Sequence, residues 1–234
     1  MPQLHYTPGE KLPVAKVKDR IDYLKAACVN QSVLDLGCYD ETALIKKESG
    51  RYLFNEIDEV AKFHLGVDNS SLLPEEGITI SDKSKILRGD IYNLDKMNIA
   101  SYNFDVIIAG ELIEHLSDTL LFLRKMKEWF PGKRLICTTP NTTALHNMVF
   151  TLVKRESAHI DHLQVYSYKT LNTLCRHAGF ADWQIIPYHV KFTEMKLGAK
   201  GIKRQIVGAS ESIVNGIERL FPMSAGGYMV DIRL

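Results

Sequence analysis

"SVLDLGC", Ser32–Cys38, is the stretch on which the fold turns: a short aliphatic run that closes on a glycine and is followed by a helical pattern. The same unit recurs. "FHLGVDN" (Phe63–Asn69), "SKILRGD" (Ser84–Asp90), "FDVIIAG" (Phe104–Gly110) and "RLICTTP" (Arg134–Pro140) repeat it, most of them ending in Gly, Asp, Asn or Pro. Strand, helix, strand is the rhythm of βαβ units on a parallel sheet. Beyond them, "YKTLNTLCRHAGF" reads as a helix closed by Gly179, because glycine just past the last turn takes the left-handed conformation cheaply. "ADWQIIPYHV" and the terminal "GGYMVDIRL" then supply an antiparallel edge. The expectation is an α/β fold: seven strands in one mixed sheet, with helices on both faces.

A chain of 234 residues, 45% hydrophobic and 24% charged, can bury one full core. One domain is expected over residues 1–234, with a helical N-terminal cover in 1–30 and an amphipathic helical insertion in 193–224 before the last strand. In that insertion Ile202, Ile206, Val207, Ile213, Val214, Ile217 and Leu220 fall at helical spacing, with a break expected at Gly208. Lys200, Lys203 and Arg204 form a small basic cluster there, which reads first as a solvated face.

Lys+Arg 29 against Asp+Glu 28 leaves a net charge of +1, so no global field argues for nucleic acid or for an anionic membrane. The start lacks a basic opening followed by an apolar core, and no apolar run approaches the roughly 18 residues of a transmembrane span. A cytoplasmic location is expected. Cys28, Cys38, Cys137 and Cys175 are scattered without a CxxC pair, which suits reduced thiols better than a disulfide framework or structural zinc.

In an open α/β sheet ligands bind at the carboxyl ends of the strands. The first strand ends on Asp35 and Gly37, where glycine admits close backbone approach. The second ends on Asp68, whose carboxylate can accept from both hydroxyls of a ribose; the third ends on Asp90, placed to receive the exocyclic amine of adenine. Aspartates also cap helices and end turns. It is the ordered series that points to an adenosine-bearing cofactor.

With those residues in hand, the chain resembles the class I S-adenosylmethionine-dependent methyltransferases from about Ser32 to its end. "VLDLGCYDE", "HLGVDNS", "LRGDIYNL" and "FDVIIAGELIEHLSD" are similar to their first four motifs. The resemblance implies a Rossmann-like sheet that binds S-adenosylmethionine through Asp35, Gly37, Cys38, Tyr39, Asp68, Asn69, Asp90, Ile91, Ala109 and Gly110. The class usually has further glycines where this chain has Tyr39 and Glu41. Their absence also argues against a nicotinamide enzyme, whose GxGxxG fingerprint needs them.

"GELIEHLSD", Gly110–Asp118, carries Glu111, Glu114 and His115, which share one face if the segment is helical. The bland reading is an amphipathic helix start, its glutamates favouring the positive N-terminus. The segment "AHIDHLQVYSYKTL" supplies His159, Asp161 and His162 further on, and His162 is the candidate fourth partner. An ExxEH motif, then "TTPN", then a DH pair resembles the small-RNA terminal 2′-O-methyltransferases, in which two glutamates and two histidines bind a divalent metal that chelates a ribose diol. Carried over, that role falls on Glu111, Glu114, His115 and His162, with Mg or Mn as the metal. A related ExxEH stretch also occurs in ubiquinone-pathway O-methyltransferases and in bacterial enzymes that methylate surface sugars.

A metal would lower the pKa of a poorly nucleophilic hydroxyl and fix it in line with the sulfonium methyl. The catalytic candidates are Glu114, His115 and His162, and a histidine of the set could alternatively act as general base. Thr138, Thr139 and Asn141 could orient substrate or close a stable loop; Tyr166 and Tyr168 read as pocket lining or as core.

The expected function is O-methylation of a sugar or glycan hydroxyl in bacterial surface-polysaccharide biosynthesis, with a homodimer left open. Two alternatives stand beside it. One is RNA ribose 2′-O-methylation, against which the near-neutral charge counts. The other is a non-catalytic cofactor-binding protein whose segment Ile202–Leu220 engages a partner or a membrane surface.

Overall fold

The computed structural model describes residues 4, 6–39, 52–97, 99 and 102–234. Glu41, with its neighbours in the first loop, lies outside them. The described strands are β1 (Ser32–Leu36), β2 (Phe63–Asp68), β3 (Ile78–Ser81), β4 (Ser84–Arg88), β5 (Val106–Gly110), β6 (Arg134–Pro140), β7 (Asp182–Tyr188) and β8 (Gly227–Arg233). They form one sheet in the order β3-β4-β2-β1-β5-β6-β8-β7. β4, β2, β1, β5 and β6 run parallel, while β8 is antiparallel to both β6 and β7.

The sheet has eight strands rather than the seven expected. The additional one, β3, forms a hairpin with β4 at the sheet edge. No residue of β3 is buried, so it carries no apolar run to mark it.

Helices cover both faces. On one, Leu24 and Cys28 of α1 (Arg20–Cys28) and Ile57 of α2 (Leu53–Val60) pack on Val33, Val106, Ile108 and Ile136. On the other, Phe122, Leu123 and Met126 of α3 (Thr119–Trp129) and Leu171 and Cys175 of α5 (Tyr168–His177) pack on Leu34, Leu36, Ile107 and Leu135. Alternate residues of one strand thus serve opposite layers. Tyr166 and Tyr168 are core residues of the second layer, not pocket lining. Gly179 closes α5 with φ 78°, as its position implies. All four cysteines are free and buried.

Two amphipathic features differ from expectation. In the described part of residues 1–30, helix is confined to α1; the preceding segment lays Leu4, Leu12 and Val14 on the core as irregular chain. The late insertion comprises α6 (Thr193–Gly198) and α7 (Ile202–Leu220), and α7 continues through Gly208 without a break. A single glycine costs a helix interior about 1 kcal/mol, which a helix of this length carries. α4 (Leu145–Leu152) has no buried residue. Among the described residues, no helix is long and apolar enough to cross a membrane.

Candidate active site

Chain order reverses beside β1: β2 and β4 lie to one side of it, β5 and β6 to the other. The crevice at the carboxyl ends of these strands is where such a sheet binds ligands. On the β2 side, Gly37 has φ 68°, and a Cβ there would lie 2.7 Å from Leu112 Cδ1, so only glycine lets β1 turn under that side chain. The amides of Tyr39 and Ser70 donate to Asp68 Oδ2 and Oδ1, each at 2.8 Å, and the Gly89 amide donates to the Asp68 carbonyl at 2.9 Å. Gly37, Tyr39 and Asp68 are thereby brought together, with the end of β4 beside them.

Burial raises the Asp68 pKa, against the lowering effect of those two amides. Both oxygens keep a lone pair free for a hydroxyl. Asp90 is exposed and caps a turn, accepting from the Tyr92 amide at 2.8 Å and from Asn93 Nδ2 at 2.6 Å. Asn69 is exposed, whereas Cys38, Ile91 and Ala109 are buried. The Cys38 carbonyl accepts from the Tyr52 hydroxyl at 2.6 Å. Gly110 is half-buried, and a Cβ there would lie 3.0 Å from Leu53 Cδ2.

Asp35 is the member that departs from the series. Its side chain points into the α1–α2 layer, where Oδ2 lies 3.5 Å from Nε2 of the fully buried His64. The His64 ring stacks on Phe54 with centroids 3.8 Å apart. Nothing in the spacing of the sequence pairs these two residues.

On the β5 side "GELIEHLSD" does not form the helix on which a shared face for Glu111, Glu114 and His115 depended. Glu111 has φ 52°, and a single 3-10 turn, Ile113–His115, follows. The left-handed residue breaks the helical register, so Glu111 and Glu114 diverge. Glu111 Oε1 accepts from the Thr138 hydroxyl and the Tyr188 hydroxyl, each at 2.7 Å, and meets Arg20 Nη1 at 3.2 Å. Burial, together with the Glu111 charge, pushes the Tyr188 hydroxyl well above its ordinary pKa, so it stays a donor. Arg20 and Tyr188 were not legible as site residues, since neither stands at a motif spacing from Glu111.

Glu114, His115 and His162 do come together. One ligand atom from each lies within 4.8 Å of the others, and Glu111 is not of the group. The Glu114 carbonyl accepts from the amides of Leu163 at 2.9 Å and Gln164 at 3.1 Å, which holds the His162 segment against the turn. The His115 and His162 rings meet edge to face with centroids 4.8 Å apart. Glu114 is 1% exposed, and neither carboxylate oxygen has a hydrogen-bond partner. Burial and the nearby Glu111 charge push its pKa up to about 8, against the lowering effect of the Thr139 hydroxyl and the Arg20 charge. A buried carboxyl without a partner needs a proton or a cation. Burial, with His115 and His159 beside it, lowers the His162 pKa and so leaves a free lone pair at neutral pH. This donor set fits a divalent ion.

A cavity of about 600 Å³ opens here, lined by Glu114, Thr139, Asn141, His146, His162 and Tyr188 among others. Asn141 is also a structural tie, donating to the carbonyls of Met223 at 2.9 Å and Ala225 at 2.7 Å.

A doubly wound sheet with a glycine turn, an acid after β2 and a cavity beyond β5 has the architecture of a Rossmann-like nucleotide-cofactor fold. The family model described as a methyltransferase domain matches residues 10–185, most of the chain, and the chain belongs to that family of S-adenosylmethionine-dependent methyltransferases. No curated protein sequence matches it. Among solved structures, it is similar to a SAM-dependent methyltransferase from Archaeoglobus fulgidus, with TM-score 0.51 and 17% identity over 92% of this chain and 94% of the other. The small RNA methyltransferase HEN1 aligns with TM-score 0.57 and 16% identity over 97% of this chain but 27% of the other. The [4+2]-cyclase SpnF aligns with TM-score 0.51 and 16% identity over 91% and 79%. At such identities the likeness is one of fold, and the acceptor has to be read from the site.

Proposed function

We propose that the chain moves the methyl group of S-adenosylmethionine to a hydroxyl of a sugar or glycan, in bacterial surface-polysaccharide biosynthesis in the cytoplasm, with Mg or Mn assisting. The observation that carries this reading is the convergence of Glu114, His115 and His162, donor atoms within 4.8 Å, on a buried carboxylate that has no other partner. One carboxylate and two imidazoles suit a first-row divalent ion, which when bound would make an attached hydroxyl more acidic.

The chain's own residues set up the rest. Gly37, Tyr39, Asp68 and Asp90 are assigned to the cofactor side of the crevice, where Leu112 packs over Gly37. Glu114 and His162 line that cavity, so an acceptor hydroxyl in it lies within reach of both. Where no ion occupies the cluster, a neutral imidazole keeps its lone pair and can take the hydroxyl proton as the new O–CH₃ bond forms and the S–CH₃ bond breaks; with the imidazoles on an ion, the acidified hydroxyl would lose its proton to solvent instead.

The test is S-adenosylhomocysteine release from a panel of sugars. Turnover abolished by chelator and by Glu114→Ala or His162→Ala supports the proposal. Turnover that survives the chelator removes the metal and leaves His115 or His162 to act alone. Absence of S-adenosylhomocysteine binding at millimolar ligand would end the reading altogether.

A second reading, RNA ribose 2′-O-methylation, draws support from the likeness to HEN1. The net charge of +1 weighs against it, since phosphate contacts call for a basic surface. A filter-binding assay at low salt with no RNA retained would dispose of it.

A further inference from the structure

We infer that the acceptor cavity contains an anion subsite at Lys154 and Arg155, and that the acceptor is a sugar bearing a phosphate or diphosphate ester. The inference rests on the transferase reading above and names what the acceptor carries beside its hydroxyl.

Lys154 and Arg155 line the same cavity as Glu114 and His162. Both are exposed, and among the described residues neither makes an ion pair or a side-chain hydrogen bond, as is true of surface cations such as Lys11, Lys62 and Lys203; what sets these two apart is their place on the cavity wall. The acids on the cavity wall do not cancel them. Glu111 is neutralised by Arg20. Glu114 is 1% exposed and turned into the cluster with His115 and His162. Only Glu156 remains against two cations, so this part of the wall is left net positive.

The backbone at this point is a costly one. The Arg155 amide donates to the Phe150 carbonyl at 2.9 Å and the Lys154 amide to the Thr151 carbonyl at 3.1 Å, a Schellman turn that closes α4. That turn puts Lys154 at φ 57°, where glycine is the favoured residue. A lysine here gives up local stability and places a cation on the cavity wall. Arginine offers a planar fork to two phosphate oxygens and lysine a mobile point charge, a pairing suited to a phosphate ester. A cavity of about 600 Å³ has room for more than one sugar ring, as a nucleotide-linked or otherwise activated sugar requires. An RNA strand would instead need a row of such contacts along its backbone.

Isothermal titration at 50 mM NaCl, in EDTA and with S-adenosylhomocysteine present, tests the subsite directly. The probes are inorganic pyrophosphate, glucose 1-phosphate, UDP-glucose and glucose; the variants are Lys154→Gly, Arg155→Ala and their double, with Lys203→Ala as a surface control. Saturable pyrophosphate binding to the wild type is expected, weakened about tenfold or more in the double variant and unchanged in Lys203→Ala. Lys154→Gly is expected to melt no lower than the wild type, so lost binding there is not lost fold. UDP-glucose or glucose 1-phosphate should bind at least tenfold more tightly than glucose. No saturable pyrophosphate binding, equal binding to the double variant, or no preference for the phosphorylated probes over glucose overturns the subsite while leaving the transferase reading standing. A ten-nucleotide RNA that binds more tightly than UDP-glucose, through the same two residues, overturns the small-molecule assignment. Failure of S-adenosylhomocysteine itself to bind is a different result and strikes the transferase reading.

Discussion

Glu111 and Glu114 stand three positions apart and have opposite circumstances. Glu111 is held by two hydroxyls and a guanidinium, whereas the Glu114 carboxylate makes no well-formed hydrogen bond and has only the Thr139 hydroxyl and the Arg20 charge nearby to favour its anion. Glu111→Ala is therefore expected to lower stability by about 1–3 kcal/mol in urea titration, by removing a charged hydrogen-bonding group, and, on the proposed metal reading, to leave Mn²⁺ binding in place. Glu114→Ala should do the reverse, losing Mn²⁺ affinity by tenfold or more in calorimetry with little loss of stability. Asp68 gives a pH test. Only its anion can accept from two hydroxyls at once, and burial holds its pKa above the usual value near 4. Cofactor affinity should be full above that raised pKa and fall as the pH drops through it, at a higher pH than for an ordinary carboxylate. Titrating S-adenosylhomocysteine at several pH values checks this, and Asp68→Asn should flatten the profile at weaker binding.

At the scale of elements, the parallel strands were legible because each is a compact aliphatic run closed by a turn residue. β3 was not, because its exposed edge needs no apolar face. Whether Ile113–His115 was helix or turn could not be read from spacing, since φ 52° at Glu111 leaves no mark there. The meeting of Glu114 with His162 was legible as chemistry, the ExxEH and DH motifs, but the partners of Glu111 come from α1 and β7, far away in the chain. α7 is tied down by a contact equally invisible in sequence: His189 Nδ1 lies 2.5 Å from Glu218 Oε2, and Glu218 is 0% exposed. Burial raises the Glu218 pKa, and His189 opposes the rise. His189→Ala would leave that carboxyl unpaired in the interior, and a loss of about 3 kcal/mol in chemical denaturation is expected. A loss below about 0.5 kcal/mol would mean α7 is secured by packing alone.

For the molecule as a whole, a ligand that binds only the folded chain stabilises it by mass action. S-adenosylhomocysteine at 100 times its Kd should contribute about 2.7 kcal/mol, and for a domain of this size each kcal/mol moves the melting temperature by about 2–4 °C. A rise of about 5–10 °C is expected in a thermal melt. No rise at millimolar ligand would count against cofactor binding.

The Glu114 carbonyl that receives the Leu163 and Gln164 amides has a bearing on redesign. It fastens the imidazole-bearing loop to the carboxylate-bearing turn through main-chain atoms alone, so side chains on either piece can change without parting them. The stretch between residues 145 and 161, which supplies Lys154 and Arg155, lies outside that clasp. Exchanging it for a segment of different length and charge is a route to new acceptor preference that leaves the reactive cluster assembled.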